Sequence, residues 1–434
     1  MKTDWLMNLS LLWRGASEVF PYFDQRDLDL DEAFATFLPQ MAAVEGEREA
    51  YMLLAQFAAL LGDGHTDVTL PKALRDEIGY LPFRLKHIGD HWHIAAVMEA
   101  SRHLLLSKVE RLNGEDFQAL LERVFAHIHQ VDGHASHARL ERFLPLFLRP
   151  TDNLLETSGG SMRFDLAPLP PAMAEPPAPE PSAPWRELLR TSSIHLRVLA
   201  DDILCINLPN LLDATVAETI REIVQDLPRP RGIIIDLRGC VGGMTLNGAH
   251  VAQLLIPGEF HACRKWTRTM RGVDFASASQ ISRWSAEATQ RWLASGMTSQ
   301  EELQESLNLC RRSLFDDYTD CFGQPGDEAF FDQPCLLLTD RDTLSAAEDM
   351  TAMFRSNQRA TILGERTYGS TGTPLLLPLR GGGIARVVSV GYRLLDGTEF
   401  INRGIQPDVS ITPSAEDLLA GHDIVLDEAI NRLA

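Results

Sequence analysis

The pattern of apolar and polar residues changes character along this chain of 434 residues. In the first 60 residues, apolar positions recur at helical spacing, as in "EREAYMLLAQFAALLG", which ends on a glycine. The stretch "DGHTDVTLP" then turns the chain toward extended structure. After a proline-rich stretch, short apolar runs alternate with amphipathic ones, and this alternation predicts an α/β domain.

The strongest strand signals lie in the carboxyl-terminal half. "GIIIDL" and "CLLLT" are continuous apolar runs, typical of strands that are buried on both faces of a parallel sheet. Further predicted strands are "DILCINLP", "ATILGE", "ARVVSVGYRLL" and "GTEFI", and the predicted helices are "ATVAETIREIVQDL" and "TLNGAHVAQLLI". Residues 262–330, rich in Trp, Arg, Ser and Gln, are predicted to form a largely helical insertion.

These patterns divide the chain into four parts. Residues 1–74 form an N-terminal helical region that carries the GDGHT loop. Residues 75–150 form an α+β module in which "VERLNG", followed by a helix, resembles the strand–turn–helix step of a PDZ domain. Residues 151–185 are a strand and a linker whose prolines cannot continue a helix or a central strand. Residues 186–434 form the α/β core, which contains the insertion.

Composition excludes some classes of protein. With 45% apolar and 23% charged residues the chain is typical of a soluble globular protein, and its net charge of −20 argues against general nucleic-acid binding. The six cysteines contain no C-x-x-C pair, so we expect reduced thiols. The N-terminus predicts neither a signal peptide nor a transmembrane segment, which favours the cytoplasm, or the periplasm or exterior if an export signal has been removed.

Two loops that follow predicted strands carry candidate chemistry. "RGCVGG" follows "GIIID" and "DRDTLS" follows "CLLLT", and ligands of open α/β sheets gather at the carboxyl ends of strands. If the two strands are parallel neighbours, Ser345 and Gly242-Gly243 face one crevice. Ser345 is then either the nucleophile of an oxyanion site or, with Glu348, the start of an S-x-x-E capping box.

Histidines offer a base and a metal site as further hypotheses. His65 lies in the glycine-flanked loop "GDGHT", where it is either a general base or a turn histidine bonded to backbone. Eight of the 13 histidines lie between His87 and His137. They could bind zinc, nickel or copper, but no cysteine or H-E-x-x-H motif accompanies them, so a solvated polar face is the favoured interpretation.

Four ordered motifs make the chain resemble the tail-specific (C-terminal processing) serine protease family: "LLGDGHTDVTLP", "IIIDLRGCVGGM", "LSAAEDMTAMFRSNQRATILGERTYGSTG" and "INRGIQPDV". The resemblance implies a spiral α/β core related to the crotonase and Clp protease folds, and peptide-bond hydrolysis through a serine without a cofactor. It implies Ser345 as nucleophile and the amides of Ala346 and of Gly242 or Gly243 as the oxyanion hole. Cys240, Asp236 and Arg238 are predicted to be structural.

The identity of the base distinguishes two branches of that family. The processing branch has a lysine at the position of Ser370, and a hydroxyl cannot replace lysine as a base near neutral pH. The tricorn-like branch uses a histidine in a GDGHT-type loop, which here is His65, and it has an auxiliary serine where this chain has Gly64.

The carboxylate that should orient the imidazole is a departure from the tricorn-like pattern. The expected glutamate aligns with Ile401, so Glu399, two residues earlier and on the same face of a predicted strand, is the predicted substitute. Glu365 and Glu348 are less favourable substitutes.

The predicted function is that of a serine peptidase with Ser345, His65 and Glu399 as its catalytic residues and no metal. Its partners would be extended peptides, protein C-termini or unfolded proteins, without nucleic acid or membrane, and a homo-oligomer is an option because relatives of this fold often assemble. Two alternatives stay open. A catalytically impaired peptide-binding homologue would explain the missing lysine and carboxylate, and a serine hydrolase could act on a non-peptide ester or amide.

Overall fold

The computed structural model describes residues 2–269, 281, 284–296, 299–308 and 314–434. Its helices are α1 (Lys2–Val19), α2 (Leu30–Ala43), α3 (Glu47–Ala59), α4 (Lys72–Ile78), α5 (Phe117–Phe125), α6 (His137–Phe143), α7 (Val216–Val224), α8 (Thr245–Gln253), α9 (Ala286–Ala294), α10 (Gln300–Asn308), α11 (Ala346–Ser356), α12 (Ala415–Ala420) and α13 (Ile424–Leu433). No helix within these ranges is long and apolar enough to cross a lipid bilayer.

The strands follow the same order along the chain. They are β1 (Asp67–Thr69), β2 (Phe83–Ile88), β3 (His91–Val97), β4 (Val109–Leu112), β5 (Glu115–Asp116), β6 (Asn153–Thr157), β7 (Gly160–Phe164), β8 (Trp185–Arg190), β9 (His195–Leu199), β10 (Ile203–Asn207), β11 (Gly232–Asp236), β12 (Cys263–Thr269), β13 (Leu314–Thr319), β14 (Cys335–Thr339), β15 (Thr361–Gly364), β16 (Pro374–Pro378), β17 (Ile384–Val388), β18 (Val390–Leu394) and β19 (Val409–Ser410).

A seven-stranded sheet organises the mixed α/β core. Its strand order is β19-β15-β14-β11-β10-β9-β8; the strands from β19 to β10 are parallel, and β9 and β8 are antiparallel. The condition placed on "GIIID" and "CLLLT" is met, since β11 and β14 are parallel neighbours with Ile233 opposite Cys335. Since parallel strands end at the same edge of a sheet, the loops after β11 and β14 lie side by side.

Both faces of this sheet are covered. Ile233 and Ile235 belong to one apolar cluster, whereas Ile234 belongs to another together with Leu426 and Ile430 of α13. Side chains on a strand point alternately to opposite faces, which explains why "GIIID" is apolar at every position. Full burial of each such side chain contributes about 1.5–3 kcal/mol.

The N-terminal region attaches to the core through a second sheet. Helices α1 to α3 precede β1, which pairs antiparallel with β17 in the three-stranded sheet β1-β17-β16. The register places Asp67 opposite Arg386. The GDGHT loop, immediately before β1, is therefore held against the core by residues more than 300 positions later in the chain.

The α+β module extends further than predicted. A hairpin around Gly89-Asp90 joins β2 to β3, and β6 and β7 complete the four-stranded sheet β5-β4-β6-β7. The boundary predicted at residue 150 would cut this sheet and is wrong, because β6 pairs with β4. The proline-rich stretch beyond it is extended, and it bridges to Val97 through Ala174 and to His422 through Glu180.

Two predictions in and near the insertion, one of helix and one of a strand, need correction. The insertion is not helical at its ends, since β12 and β13 pair with each other and β12 also pairs with β18, where the Trp266 indole packs on Gly391. "GTEFI" is not a strand, because the Leu394 amide bonds to the Thr398 carbonyl and closes a turn. Helices α9 and α10 agree with the prediction, and Cys310 lies outside the described residues.

Candidate active site

Ser345 lies at the tight turn between β14 and α11. Its backbone has φ 62° and ψ −130°, a conformation that costs a non-glycine residue about 1–3 kcal/mol. The Ser345 amide donates to the carbonyl oxygen of Ser370 over 2.9 Å. Strain of this kind at a polar residue that ends a strand and begins a buried helix is typical of functional positions.

The predicted capping box is wrong. The Ser345 side chain makes no cap hydrogen bond, because its hydroxyl lies 3.0 Å from His65 Nε2. The fully buried Glu348 carboxylate likewise turns away from the Ser345 amide. It accepts hydrogen bonds from the amides of Gly369 (2.8 Å) and Ser370 (2.6 Å) and from the Thr367 hydroxyl.

His65 contacts a serine hydroxyl with each ring nitrogen. In addition to the Ser345 contact, its Nδ1 lies 2.7 Å from Ser370 Oγ. A neutral imidazole has one donor and one acceptor nitrogen. The tautomer protonated on Nδ1 therefore donates to Ser370 and leaves Nε2 free to accept the Ser345 proton.

Glycine at position 64 makes the Ser370 contact possible. A Cβ at Gly64 would lie 2.4 Å from Ser370 Oγ and 2.5 Å from Ser370 Cβ, so a side chain there would displace the serine. The chain thus differs from the family pattern at two positions that are in contact, Gly64 and Ser370, and the small residue at one makes room for the side chain at the other. Ser370 occupies the space that a residue larger than glycine would need at position 64.

The carboxylate predicted to orient His65 is not at the ring. Both ring nitrogens already contact serine hydroxyls, and Glu399 follows the turn after β18 and belongs to no strand. Glu399 is therefore not a hydrogen-bond partner of the His65 ring in this structure, and the strand on which its same-face argument relied is absent. Burial raises the pKa of Glu399, and Arg393 and Arg403 lower it.

Buried ion pairs hold the His65 loop in place. Arg139 donates to the Gly64 carbonyl and, from Nε over 3.1 Å, to Asp67, which also pairs with Arg386. At the other end of the loop, Asp63 Oδ1 accepts from the His65 amide over 2.7 Å. The loop is thus fixed on both sides of the histidine.

The surroundings keep His65 neutral. Burial, followed by the nearby Arg139 and Arg386 guanidinium groups, lowers the pKa of His65 to about 3. Burial raises the pKa of Glu348 to about 7, although the Thr367 hydroxyl and the Ser370 and Gly369 amides lower it. An uncharged imidazole close to a serine hydroxyl can act as a general base near neutral pH.

Gly242 lies directly against the Ser345 turn. It has φ +91°, and a Cβ there would lie 2.7 Å from Ser345 Cβ and 2.8 Å from the Ala346 amide nitrogen. Glycine therefore keeps open the space beside that amide. The Leu344 amide donates to the Cys240 carbonyl over 3.0 Å and ties the glycine loop to the serine loop.

Three residues of the glycine motif are structural, as predicted. Cys240 is fully buried, and burial raises the pKa of its thiol to about 11, so it is not a thiolate near neutral pH. Arg238 pairs with both Asp236 and Asp423, with contacts of 2.7–2.9 Å. This network anchors the start of the glycine loop to the C-terminal region.

One segment, residues 129–139, contacts all three loops of the site. Besides the Arg139 contacts with the His65 loop, His134 and His137 bond to the two carboxylate oxygens of Asp342 over 3.1 and 2.8 Å. His129 lies 3.1 Å from the hydroxyl of Tyr368, which is two residues before Ser370. This segment connects the loops that carry His65, Ser345 and Ser370.

The prediction of a solvated histidine face is wrong for half of the histidines in that part of the chain. The buried members are His87, His93, His129 and His134. His134 and His137 are used to bind the Asp342 carboxylate. Among the residues with described positions, no group of three or more His, Cys, Asp or Glu side chains could hold a metal ion.

The structure therefore brings Ser345, His65, Gly242 and Ala346 together and leaves Glu399 apart. Sequence reasoning missed Ser370 as a partner of His65, and it missed Arg139 altogether. The contact between Ser370 and His65 could have been inferred from the sequence, because Gly64 and Ser370 both differ from the family pattern. Nothing in the pattern around "HASHARL" distinguishes Arg139 from a surface arginine.

Part of the chain matches a known family and curated relatives. Residues 202–411 match peptidase family S41. The carboxy-terminal-processing protease of Bartonella bacilliformis is 26% identical over 98 residues, 23% of each chain. The carboxyl-terminal-processing protease of Synechocystis sp. is 33% identical over 81 residues, 19% of each chain. The matched segments thus span less than a quarter of these relatives.

Solved structures resemble the chain over nearly its whole length. Mature CPAF has a TM-score of 0.71 at 16% identity, covering 100% of this chain and 98% of that one. A peptidase structure from Parabacteroides merdae has a TM-score of 0.56 at 15% identity, covering 100% and 96%. At such identities the likeness establishes the fold alone. Residues 202–411, just under half of the chain, thus match peptidase family S41, and the solved structures resemble the chain in fold.

Proposed function

We propose that this chain is a serine peptidase in which Ser345 is the nucleophile and His65 the general base. The observation that carries the proposal is the Ser345–His65–Ser370 chain of contacts, with His65 Nε2 3.0 Å from the Ser345 hydroxyl. A nucleophile and base within hydrogen-bond reach, with the base held by a third group, is the arrangement that acyl transfer needs.

The proposed reaction uses this chain's groups and water. Ser345 Oγ attacks the peptide carbonyl carbon while His65 Nε2 takes its proton, and the oxyanion is stabilised by the amides of Ala346 and of Gly242 or Gly243. His65 then protonates the leaving amine, and an acyl-enzyme ester remains on Ser345. Water, deprotonated by His65, attacks that ester and releases the second product, which restores the serine.

Ser370 takes the positioning role that a carboxylate has in most triads. Its hydroxyl accepts the Nδ1–H of His65, and Glu348 holds its amide over 2.6 Å. The proposal thus replaces Glu399 by Ser370 as the partner of the His65 ring. The Glu348 carboxylate contacts Ser370 and not the ring. In this respect the site follows the His-dependent, tricorn-like pattern with a changed third member.

We infer extended peptides or protein C-termini as substrates, and a spiral crotonase/Clp-like core with a PDZ-like module as the finer description of the fold. The relatives named as carboxy-terminal-processing proteases support this substrate class. The α+β module adjoins the nucleophile loop through His134 and His137, which favours a role for it in peptide selection.

Hydrolysis of an unfolded protein tests the proposal. Wild type should degrade reduced, carboxymethylated casein to peptides, and Ser345→Ala should leave it intact while retaining the wild-type circular dichroism spectrum. Equal degradation by wild type and Ser345→Ala would refute Ser345 as the nucleophile.

A further inference from the structure

Four large apolar side chains stand exposed around the two glycines of the oxyanion loop. They are Leu212, Val241, Met244 and Leu246, with 69%, 60%, 60% and 55% of their surface exposed, and we call them the apolar rim. Seven large apolar side chains in the described residues are at least 55% exposed, and four of these seven form the apolar rim. Single exposed apolar residues are ordinary, whereas a concentration at one place marks an interaction site.

Backbone hydrogen bonds join the two loops of the rim. The Leu211 amide donates to the Gly242 carbonyl, and the Met244 amide donates to the Leu211 carbonyl, each over 2.9 Å. Leu211 and Gly243 thus form an isolated parallel β-bridge. The next residues in this register, Leu212 and Met244, are therefore lateral neighbours. The rim is a fixed surface rather than two independent loops.

The rim borders the space in which a substrate carbonyl would be attacked. Val241 and Met244 flank Gly242-Gly243, and Gly242 lies against Ser345 and the Ala346 amide. A peptide whose scissile carbonyl faces those amides must pass over the rim, because the loop that supplies the amides also carries Val241 and Met244.

We propose that the apolar rim is a substrate subsite that binds an apolar side chain of one of the two residues joined by the scissile bond. The inference rests on the proposed function, since it takes Ser345 as the nucleophile. Covering the rim with an apolar side chain removes hydrocarbon surface of both partners from water. A charged side chain at the same place would lose hydration and gain no ion pair from these four residues.

Cleavage profiling of a peptide mixture, randomised on both sides of the cut and read by mass spectrometry, tests the subsite. Wild type should favour Leu, Met, Phe, Ile or Val at one of the two positions that flank the cut. In the double variant Leu212→Ser/Met244→Ser, the ratio of kcat/KM for apolar over polar peptides should fall about tenfold. Leu169→Ser is the matched control, since Leu169 is 68% exposed but lies in the proline-rich stretch.

Two outcomes would refute the subsite: a wild type without apolar preference, or a double variant with the wild-type ratio.

Labelling by a small fluorophosphonate separates failure of the subsite from failure of the proposed function, because the probe carries no peptide side chain. Leu169→Ser should be labelled at the wild-type rate, and labelling of the double variant shows whether its Ser345 still reacts. If wild type is neither labelled nor active, the proposed function fails, and fluorescence anisotropy with Leu- and Ser-containing peptides still decides the subsite. Equal affinity for both peptides would refute it.

Discussion

At the scale of single residues, the His65 imidazole is distinguished by having a serine hydroxyl on each ring nitrogen. A carboxylate in the place of Ser370 would stabilise the imidazolium that forms during attack, whereas a hydroxyl fixes the tautomer and supplies no charge. Burial next to Arg139 further disfavours the imidazolium. The site is therefore built for orientation of the base more than for its basicity.

Ser370→Ala should lower kcat by about tenfold to a hundredfold, because His65 loses the group that fixes its tautomer. KM should change little, since Ser370 makes its contact with the base. Peptide hydrolysis kinetics measure both constants. Glu399→Gln serves as the control and should keep full activity; a larger loss in Glu399→Gln than in Ser370→Ala would reverse the assignment.

The acid limb of kcat/KM should have its midpoint below pH 6.5, the ordinary value for histidine. The pKa of His65 is lowered to about 3, so the base stays neutral, and active, as the pH falls through 6.5. Glu348, with its pKa raised to about 7, also titrates in this range, and Glu348→Gln controls for it. A midpoint at or above 6.5 that persists in Glu348→Gln contradicts the burial argument.

At the scale of secondary-structure elements, the segment 129–139 connects three loops that are far apart in the sequence. It binds Asp342 through His134 and His137, Tyr368 through His129, and the His65 loop through Arg139. Because a displacement of about 1 Å between reacting groups can cost a hundredfold in rate, we expect these contacts to affect the alignment of His65 with Ser345.

Asp342→Asn should lower kcat about tenfold with little change in KM, because His134 and His137 then share a single acceptor oxygen. Burial lowers the pKa of His137 and the Asp342 carboxylate raises it above the ordinary value, so this pKa should fall in the variant. Steady-state kinetics measure kcat and KM, and an NMR titration of His137 measures its pKa. His91→Gln, at an exposed histidine of the same module, is the control and should behave as wild type. An unchanged kcat in Asp342→Asn would remove the positioning role.

Arg139→Met should lower the free energy of unfolding by about 3 kcal/mol, because it leaves the buried Asp67 with fewer partners and the Gly64 carbonyl without its donor. Urea denaturation measures this change. Arg163→Met removes an ion pair whose side chains are 68% and 67% exposed, and it should have little effect. Equal stabilities of the two variants would show that the Arg139 network is dispensable.

At the scale of the whole molecule, the central strands of the sheet and the loops that carry Gly242 and Ser345 could be predicted from the sequence. Apolar runs and glycine motifs are local signals. Ser345, His65 and Gly242 meet as predicted from those signals. Ser370, Glu348 and Arg139 were not assigned their roles, since those depend on contacts between residues 20 to more than 300 positions apart. Glu399 was predicted from a strand at "GTEFI", whereas the chain turns between Leu394 and Thr398 and Glu399 belongs to no strand.

The central claim is that Ser345 is a nucleophile activated by His65, and covalent labelling tests it most directly. After incubation with a fluorophosphonate, intact-mass spectrometry of wild type should show one added phosphonyl group, which peptide mapping places on Ser345. Ser345→Ala should remain unlabelled, and His65→Ala should react at least about a hundredfold more slowly. A folded wild type that stays unlabelled, or a label on a residue other than Ser345, would contradict the account.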